Sequence, residues 1–404
     1  MFSRTPRTLL VIATAGSAVA ASLLGAAPGL AAQPKVTIST VISGLNTPRG
    51  ITFDGQGNLY VAESGSAGAG AAGLTRTGRV TKYVRGSSHV RWSKSFQSFY
   101  ATEDPSAPPD ALGPEGLSAL RTGCRSWNGA GTRSAWASRC QVRMIMSESH
   151  DGIAAASSGT LDATQAGHLY RLTSATGHPT YLRNVGDKSY AWTNARKSLF
   201  PSDFPDSNPF GVLVVRDSAQ HRVRTFVADA GANTIIEVMA KGRDRVVSYI
   251  PNETAAPFRD ATPTCIAQGP DGMLYVATLH LVANLFVPGA TGGKSDVWRV
   301  NPNAHYPQKP TLWATGLTTP TGCIFDSAGN FWATELFQPN AGGPPGDVVR
   351  IPFKHPRQLR RFGGGQLPMP GMITQGPGGA MFITTHSADP TPGAGQVVRL
   401  RINQ

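Results

Sequence analysis

Short apolar runs broken by Gly-, Asp- and Asn-containing turns recur along most of the chain, and several of them superpose without gaps. TPRGITFDGQGNLYVAES from Thr47, TPTCIAQGPDGMLYVATL from Thr262, TPTGCIFDSAGNFWATEL from Thr319 and MPGMITQGPGGAMFITTH from Met369 share one frame. In each, Pro is followed nine residues later by a turn Gly (Gly57, Gly272, Gly329, Gly379) and twelve later by an aromatic (Tyr60, Tyr275, Trp332, Phe382). Fixed offsets of this kind are the signature of an internal repeat. Two degenerate copies complete a set of six: GPEGLSAL at Gly113, resuming as IMSESH, and NPFGVLVV at Asn208, resuming as FVADAG.

Each unit reads as a strand, a tight turn, a second strand, a loop and a third strand, with β-branched enrichment and rough alternation in HLYRLTS, NTIIEVMA, DVWRVNP, DVVRIPF and QVVRLRI. RVVSYI and TLWATGL are candidate fourth strands. Successive Pro anchors lie 66, 95, 54, 57 and 50 residues apart, which suits four-stranded blades with two long insertions, near 121–141 and 185–206. The expected fold is an all-β, six-bladed β-propeller. The last unit ends after three strands while VTISTVI (36–42) is unclaimed, so the N-terminal strand is expected to complete the C-terminal blade by pairing with 395–402. The alternative is a seventh blade hidden in 85–110 or 175–205.

Composition supports this picture: 40% apolar, 15% charged, 46 Gly and 31 Pro in 404 residues exclude coiled coil and disorder. Residues 1–31, with a basic start, an apolar stretch and small residues at Gly29 and Ala31, read as a secretory signal peptide, leaving 32–404 as one propeller domain. No apolar run long enough to span a membrane follows it, so a secreted, extracellular, monomeric protein is expected. Losing Arg4 and Arg7 with the leader lowers the formal charge from +13 to +11. In an oxidising compartment the four cysteines are expected to pair. Cys124 and Cys140 flank the first of the long insertions and are expected to pair with each other; Cys265 and Cys323, at nearly matched positions of consecutive units near the axis, are the second expected pair.

GLNTPRGITFDGQGNLYVAES, DSNPFGVLVV, VADAGANTIIEV, PTCIAQGPDGMLYVATL and the closing MPGMITQGPGGAMFITTH resemble the ScyD/ScyE family of exported bacterial propellers, DSNPFG and VADAGANTI being the more specific pieces. The PDG-LYVA pieces are shared with NHL and gluconolactonase-like propellers. The resemblance implies a secreted six-bladed propeller and carries over no catalytic residues.

Candidate chemistry follows from position within the blade. Pro-x-Gly opens the inner strand and the second strand runs back, so two sets of residues line one rim. The middle residues of the opening turns are Arg49, Glu115, Phe210, Thr264, Thr321 and Gly371. The second-strand ends are Glu63, Glu148, Asp229, Thr278, Glu335 and Thr385, with His150, His280 and His386 just beyond. Convergent carboxylates could hold a cation or polar ligand, or accept backbone N–H bonds as turn residues; Arg49 is the built-in counter-charge, and Glu115 the weak candidate metal ligand. Gluconolactonase-like propellers bind a divalent cation through Glu, Asn and Asp at the opening turns, and here only Glu115 and Asn208 resemble that set.

SGSAGAGAAG lacks a P-loop Lys and reads as a loop, and no G-x-S-x-G, HExxH or Walker sequence occurs. The basic run FKHPRQLRR (353–361) would suit an anionic envelope polymer, or a solvated blade edge; nucleic acid is not an expected partner. The sequence favours a non-catalytic propeller that binds a small molecule or extracellular partner on this rim, without a cofactor. The alternative is a hydrolase or lyase acting on a small ester or lactone through a divalent cation in the channel.

Overall fold

The computed structural model describes residues 36–66, 73–101, 110–120, 141–157, 159, 161–199, 205–217, 222–253, 259–280, 283–284, 290–303, 307–340 and 343–402. Six antiparallel sheets form the blades of a β-propeller. Inner strands are Pro48–Phe53, Pro114–Ala119, Pro209–Asp217, Pro263–Gln268, Pro320–Phe325 and Ile373–Gln375, in blades 1 to 6. Blade 6 takes its outermost strand from Val36–Leu45, which runs antiparallel to Gly395–Ile402 with Val36 opposite Ile402. The ring is therefore closed by its N-terminal strand, as expected.

Among the described residues, the two stretches that might have hidden a seventh blade hold none. Val90–Ala101 and Asp110–Leu112 are the fourth and fifth strands of blade 1. Val185–Asn194 is a helix, and we label it α2, after α1 (His150–Ala156). The signal-peptide segment, the 121–140 insertion with Cys124 and Cys140, and most of the Gly-rich stretch lie outside the described residues. Among the described residues no helix is long and apolar enough to cross a membrane.

The core is radial. A slab of apolar side chains fills each gap between neighbouring blades: Tyr60, Phe96 and Met144 between blades 1 and 2; Ile145, Leu169 and Val212 between 2 and 3; Phe226, Ile266 and Val276 between 3 and 4. Blades 4 and 5 are additionally joined by the Cys265–Cys323 disulfide, with Cα atoms 5.6 Å apart, which links two inner strands near the axis.

Two local devices explain the repeat. Asp in the first turn does more than shape it: Asp54 accepts from Tyr60 Oη at 2.9 Å and lies 3.7 Å from Lys82 Nζ on the third strand. Asp271 does the same with Tyr275 (3.1 Å) and Arg299 (2.9 Å), and Asp326 with Trp332 Nε1 (2.7 Å), over whose ring Arg350 sits at 5.7 Å. The aromatic twelve residues after Pro is thus part of a clasp joining turn, second strand and third strand. At the opposite end, Thr47, Thr262 and Thr319 precede their Pro residues at φ 46°, 46° and 47°, an uncommon conformation for a β-branched residue. Each is held by its carbonyl, which accepts the amide just past the second strand: Ser64 at 3.0 Å, Leu279 at 2.9 Å and Leu336 at 3.0 Å.

The Gly of Pro-x-Gly has a steric reason. A Cβ on Gly50 would stand 2.4 Å from the Glu115 carbonyl oxygen, and one on Gly116 would stand 2.4 Å from that of Phe210. At their starts the inner strands therefore press backbone against backbone around the axis.

Candidate functional site

The inner strands divide the axis into a closed end, where they start, and an open end, where they finish. At the closed end the middle residues of the opening turns do come together. Arg49 and Glu115 form an ion pair (Nη1–Oε1 3.5 Å), side chains 4% and 1% exposed. Ser64 Oγ also approaches Glu115 Oε2, at 3.4 Å. Phe210, Thr321 and Gly371 pack around the pair and leave a cavity of about 10 Å³, at most one water. Thr264 and Thr321 donate through Oγ1 to the carbonyls of Pro320 (2.6 Å) and Pro370 (2.7 Å), stapling each of these opening turns to the next blade.

The second-strand carboxylates share that end of the disc, but each folds back on its own surroundings. Glu63 accepts from the Asn46 amide at 2.9 Å and lies 3.6 Å from Arg79; burial is the stronger influence and raises its pKa. Asp229 accepts from Ser207 Oγ (2.7 Å), Asn208 N (2.8 Å) and Ala232 N (3.0 Å). Complete burial nevertheless pushes its pKa up to about 6, against the pull of those bonds. Glu335 accepts from the Thr318 amide and is gripped by Arg361 through Nε (2.7 Å) and Nη2 (3.1 Å). Burial and the neighbouring Glu335 push the pKa of Asp347 upward. Arg361 belongs to the basic run expected to meet an anionic polymer, and its charge is spent here instead.

Blade 2 corrects the expected register. Pro114 faces Met146, and the Ser147 amide reaches the Gly113 carbonyl at 2.9 Å, as Ser64 reaches Thr47 in blade 1. Met146 therefore occupies the position of Glu63. Glu148 lies two residues further on, at φ 61°, its amide directed at Asn208 Oδ1 (3.3 Å). The acidic set expected from blades 1, 2, 3 and 5 thus loses its blade 2 member, while blades 4 and 6 end their second strands in Thr278 and Thr385. The long insertion within this unit concealed the register in the sequence.

The three histidines serve their own loops. His280 is 2% exposed and bonds the Lys294 carbonyl through Nδ1 at 2.8 Å; burial lowers its pKa. His386 Nδ1 pairs with Asp389 at 2.9 Å. His150 opens α1 and meets Asp162 through Nε2 at 3.3 Å. Ligand atoms of His150, Asp151 and Asp187 lie within 4.8 Å of one another, but Asp187 Oδ1 already accepts the Asp151 amide at 3.0 Å, where α1 meets the start of α2.

A divalent cation at the opening turns can be tested against this donor set. Hard cations take six to eight oxygens. The turns supply one carboxylate, Glu115, with the Arg49 guanidinium beside it. The residues present do not fit such a cation, and no reaction step through one is derived.

The open end differs. Beyond their crowded starts the inner strands diverge around a funnel of about 370 Å³, within the range of small-molecule sites. Its apolar wall includes Ile51, Leu117, Ile266, Phe325, Met372 and Ile373; polar groups come from Thr52, Gln268, Thr374 and Arg216. The Cys265–Cys323 bridge is part of the wall. None of these, cysteines aside, was picked out in the sequence, because attention went to the strand starts. A signal was present: NPFGVLVVRD continues for nine strand residues where blades 1, 2, 4 and 5 have six, which carries Arg216 toward the mouth.

No protein-family model and no curated protein matches the chain. Solved structures resemble it in architecture. A glucose dehydrogenase is 14% identical with a TM-score of 0.49, covering 90% of this chain and 99% of its own. The soluble aldose sugar dehydrogenase of Escherichia coli is 11% identical with a TM-score of 0.48, covering 91% and 100%. A catalytically inactive virginiamycin B lyase from Staphylococcus aureus is 12% identical with a TM-score of 0.41, covering 91% and 99%. At these identities and scores the likeness assigns neither residues nor activity to this chain.

Proposed function

We propose that this chain is a secreted binding propeller that holds a small molecule in the axial funnel at the finishing ends of its inner strands. The observation that carries this reading is the contrast in free volume, about 370 Å³ at the open end against about 10 Å³ at the closed end. The rim expected from the sequence is a poor host, since Glu63, Glu115, Asp229 and Glu335 are all buried and engaged by backbone amides, hydroxyls or guanidinium groups. A non-catalytic role is supported by the same commitments, which leave the sequence's candidate acids and histidines occupied with structure. The disulfide supports an oxidising compartment and so export. Kinship with the ScyD/ScyE family rests on DSNPFG and VADAGANTI.

The test uses decan-1-ol as a neutral apolar probe in calorimetric titration. Wild-type protein should take up one equivalent, and Gln268→Trp, which places a bulky ring at the funnel wall, should abolish uptake while the melting temperature holds. Uptake that survives Gln268→Trp but is lost in the Glu63→Gln, Glu335→Gln double variant would return the site to the rim.

A further inference from the structure

The slab between blades 2 and 3 changes character along its length. Near the closed end it is apolar, with Ile145 and Leu169 against Val212 and Val227. Toward the open end it turns basic. Ser118 faces blade 3, because its Oγ accepts the Val214 amide at 2.9 Å. Arg143 is directly opposite Ser118 in the sheet, and Arg171 directly opposite Arg143, so both arginines share that face. Burial and the Arg171 charge lower the Arg143 pKa to about 10. From blade 3, Val212, Val214 and Arg216 alternate toward the same slab.

Two carboxylates of blade 3 are engaged by other arginines. Asp217, next to Arg216, points to the other face of its strand and lies 3.7 Å from Arg224. Arg222, Arg224 and Arg245 all converge on Glu237. Among the described residues no carboxylate pairs with Arg216, which is exposed and lines the funnel. The funnel thus joins an apolar wall to a cationic lip on one side.

We propose that the ligand of this funnel is an amphipathic carboxylate, its hydrocarbon body against Ile51, Leu117, Ile266 and Ile373 and its carboxylate on the Arg216 guanidinium. Arg143 and Arg171 add to the local positive potential, favouring an anionic head over a neutral one. Guanidinium and carboxylate match in charge and in fork geometry, so the head fixes the orientation in which the tail enters. The proposal rests on the funnel reading above and names its ligand class.

The experiment titrates decanoate and decan-1-ol into wild-type protein, Arg216→Gln and Gln268→Trp at low ionic strength, with melting curves as folding controls. Wild type should bind decanoate at least about tenfold more tightly than decan-1-ol, the scale of one charge-assisted contact. Arg216→Gln should bring the two within about threefold by weakening decanoate alone, Arg216→Lys should restore part of the preference, and Gln268→Trp should lose both ligands. Equal affinity of wild type for the two probes, or a preference untouched in Arg216→Gln, would overturn the carboxylate assignment while leaving the funnel reading standing. Binding of neither probe would overturn both. Decanoate binding that needs Arg216 but survives Gln268→Trp would mean an anion held on the surface, and would also overturn it.

Discussion

The two ends of the axial channel are built from the same six inner strands and have opposite properties. At the closed end four of the six strands begin with Pro-x-Gly, the backbones approach so closely that Gly50 and Gly116 have no room for a Cβ, and Arg49 and Glu115 are paired and buried. At the open end the strands carry full side chains, diverge, and leave a funnel with an arginine at its lip that pairs with no carboxylate among the described residues. The difference shows how a repeat can assign stability to one end of a ring and recognition to the other. Crowding, not charge, decides which end is free.

The largest expected effect concerns the bridge in the funnel wall. Cys265→Ser with Cys323→Ser opens a loop of 58 residues in sequence separation, which the chain-entropy relation values at about 4 kcal/mol. Denaturant melts should show a loss of that order, whereas an unchanged midpoint would mean that packing between blades 4 and 5 alone fixes the funnel's width.

At the closed end, Glu115→Gln leaves the buried Arg49 without its charged partner and should cost about 3 kcal/mol. The double change Arg49→Met, Glu115→Leu should recover much of that loss. A double variant as unstable as the single one would show that the pair does more than balance its own charges.

Asp229 offers a pH test of the same end. Its folded pKa of about 6 lies above the ordinary aspartate value of 3.8, so the native state binds the proton more tightly than the unfolded chain. On this contribution stability is greatest below about pH 4 and declines as pH rises to about 6, by about 3 kcal/mol in all. Asp229→Asn keeps an uncharged oxygen acceptor for the Asn208 and Ala232 amides, as the protonated carboxyl does, so at pH 7 the variant should be more stable than wild type, by up to about 3 kcal/mol. The decline between those pH values should flatten relative to wild type, and an identical pH profile would show that Asp229 is not the group responsible.

The smallest expected effect on folding belongs to the open end. Arg216→Gln should shift stability by less than about 0.5 kcal/mol, since the side chain is exposed and pairs with no carboxylate among the described residues. A larger loss would identify Arg216 as a structural residue and blur the division between the two ends.

Blade number, strand order and ring closure were legible in the sequence because they depend on local periodicity: Pro, turn Gly and aromatic at fixed offsets, and a spare strand at each terminus. The Cys265–Cys323 pairing was legible for the same reason, as equivalent positions in consecutive units lie side by side once a ring is assumed. The sequence could also place Arg49, Glu63, Glu115, Asp229 and Glu335 at one end of the disc. It could not show whether they faced a ligand or one another. That outcome depends on how closely six backbones approach the axis, and on groups such as Arg361 and Ser207 that arrive from elsewhere in the fold. The misplacement of Glu148 has the same origin, since an insertion preserves the repeat in space while breaking it in sequence. Only the tertiary structure sets the distances between strands that never touch in sequence, and those distances close one end of the channel and leave the other open.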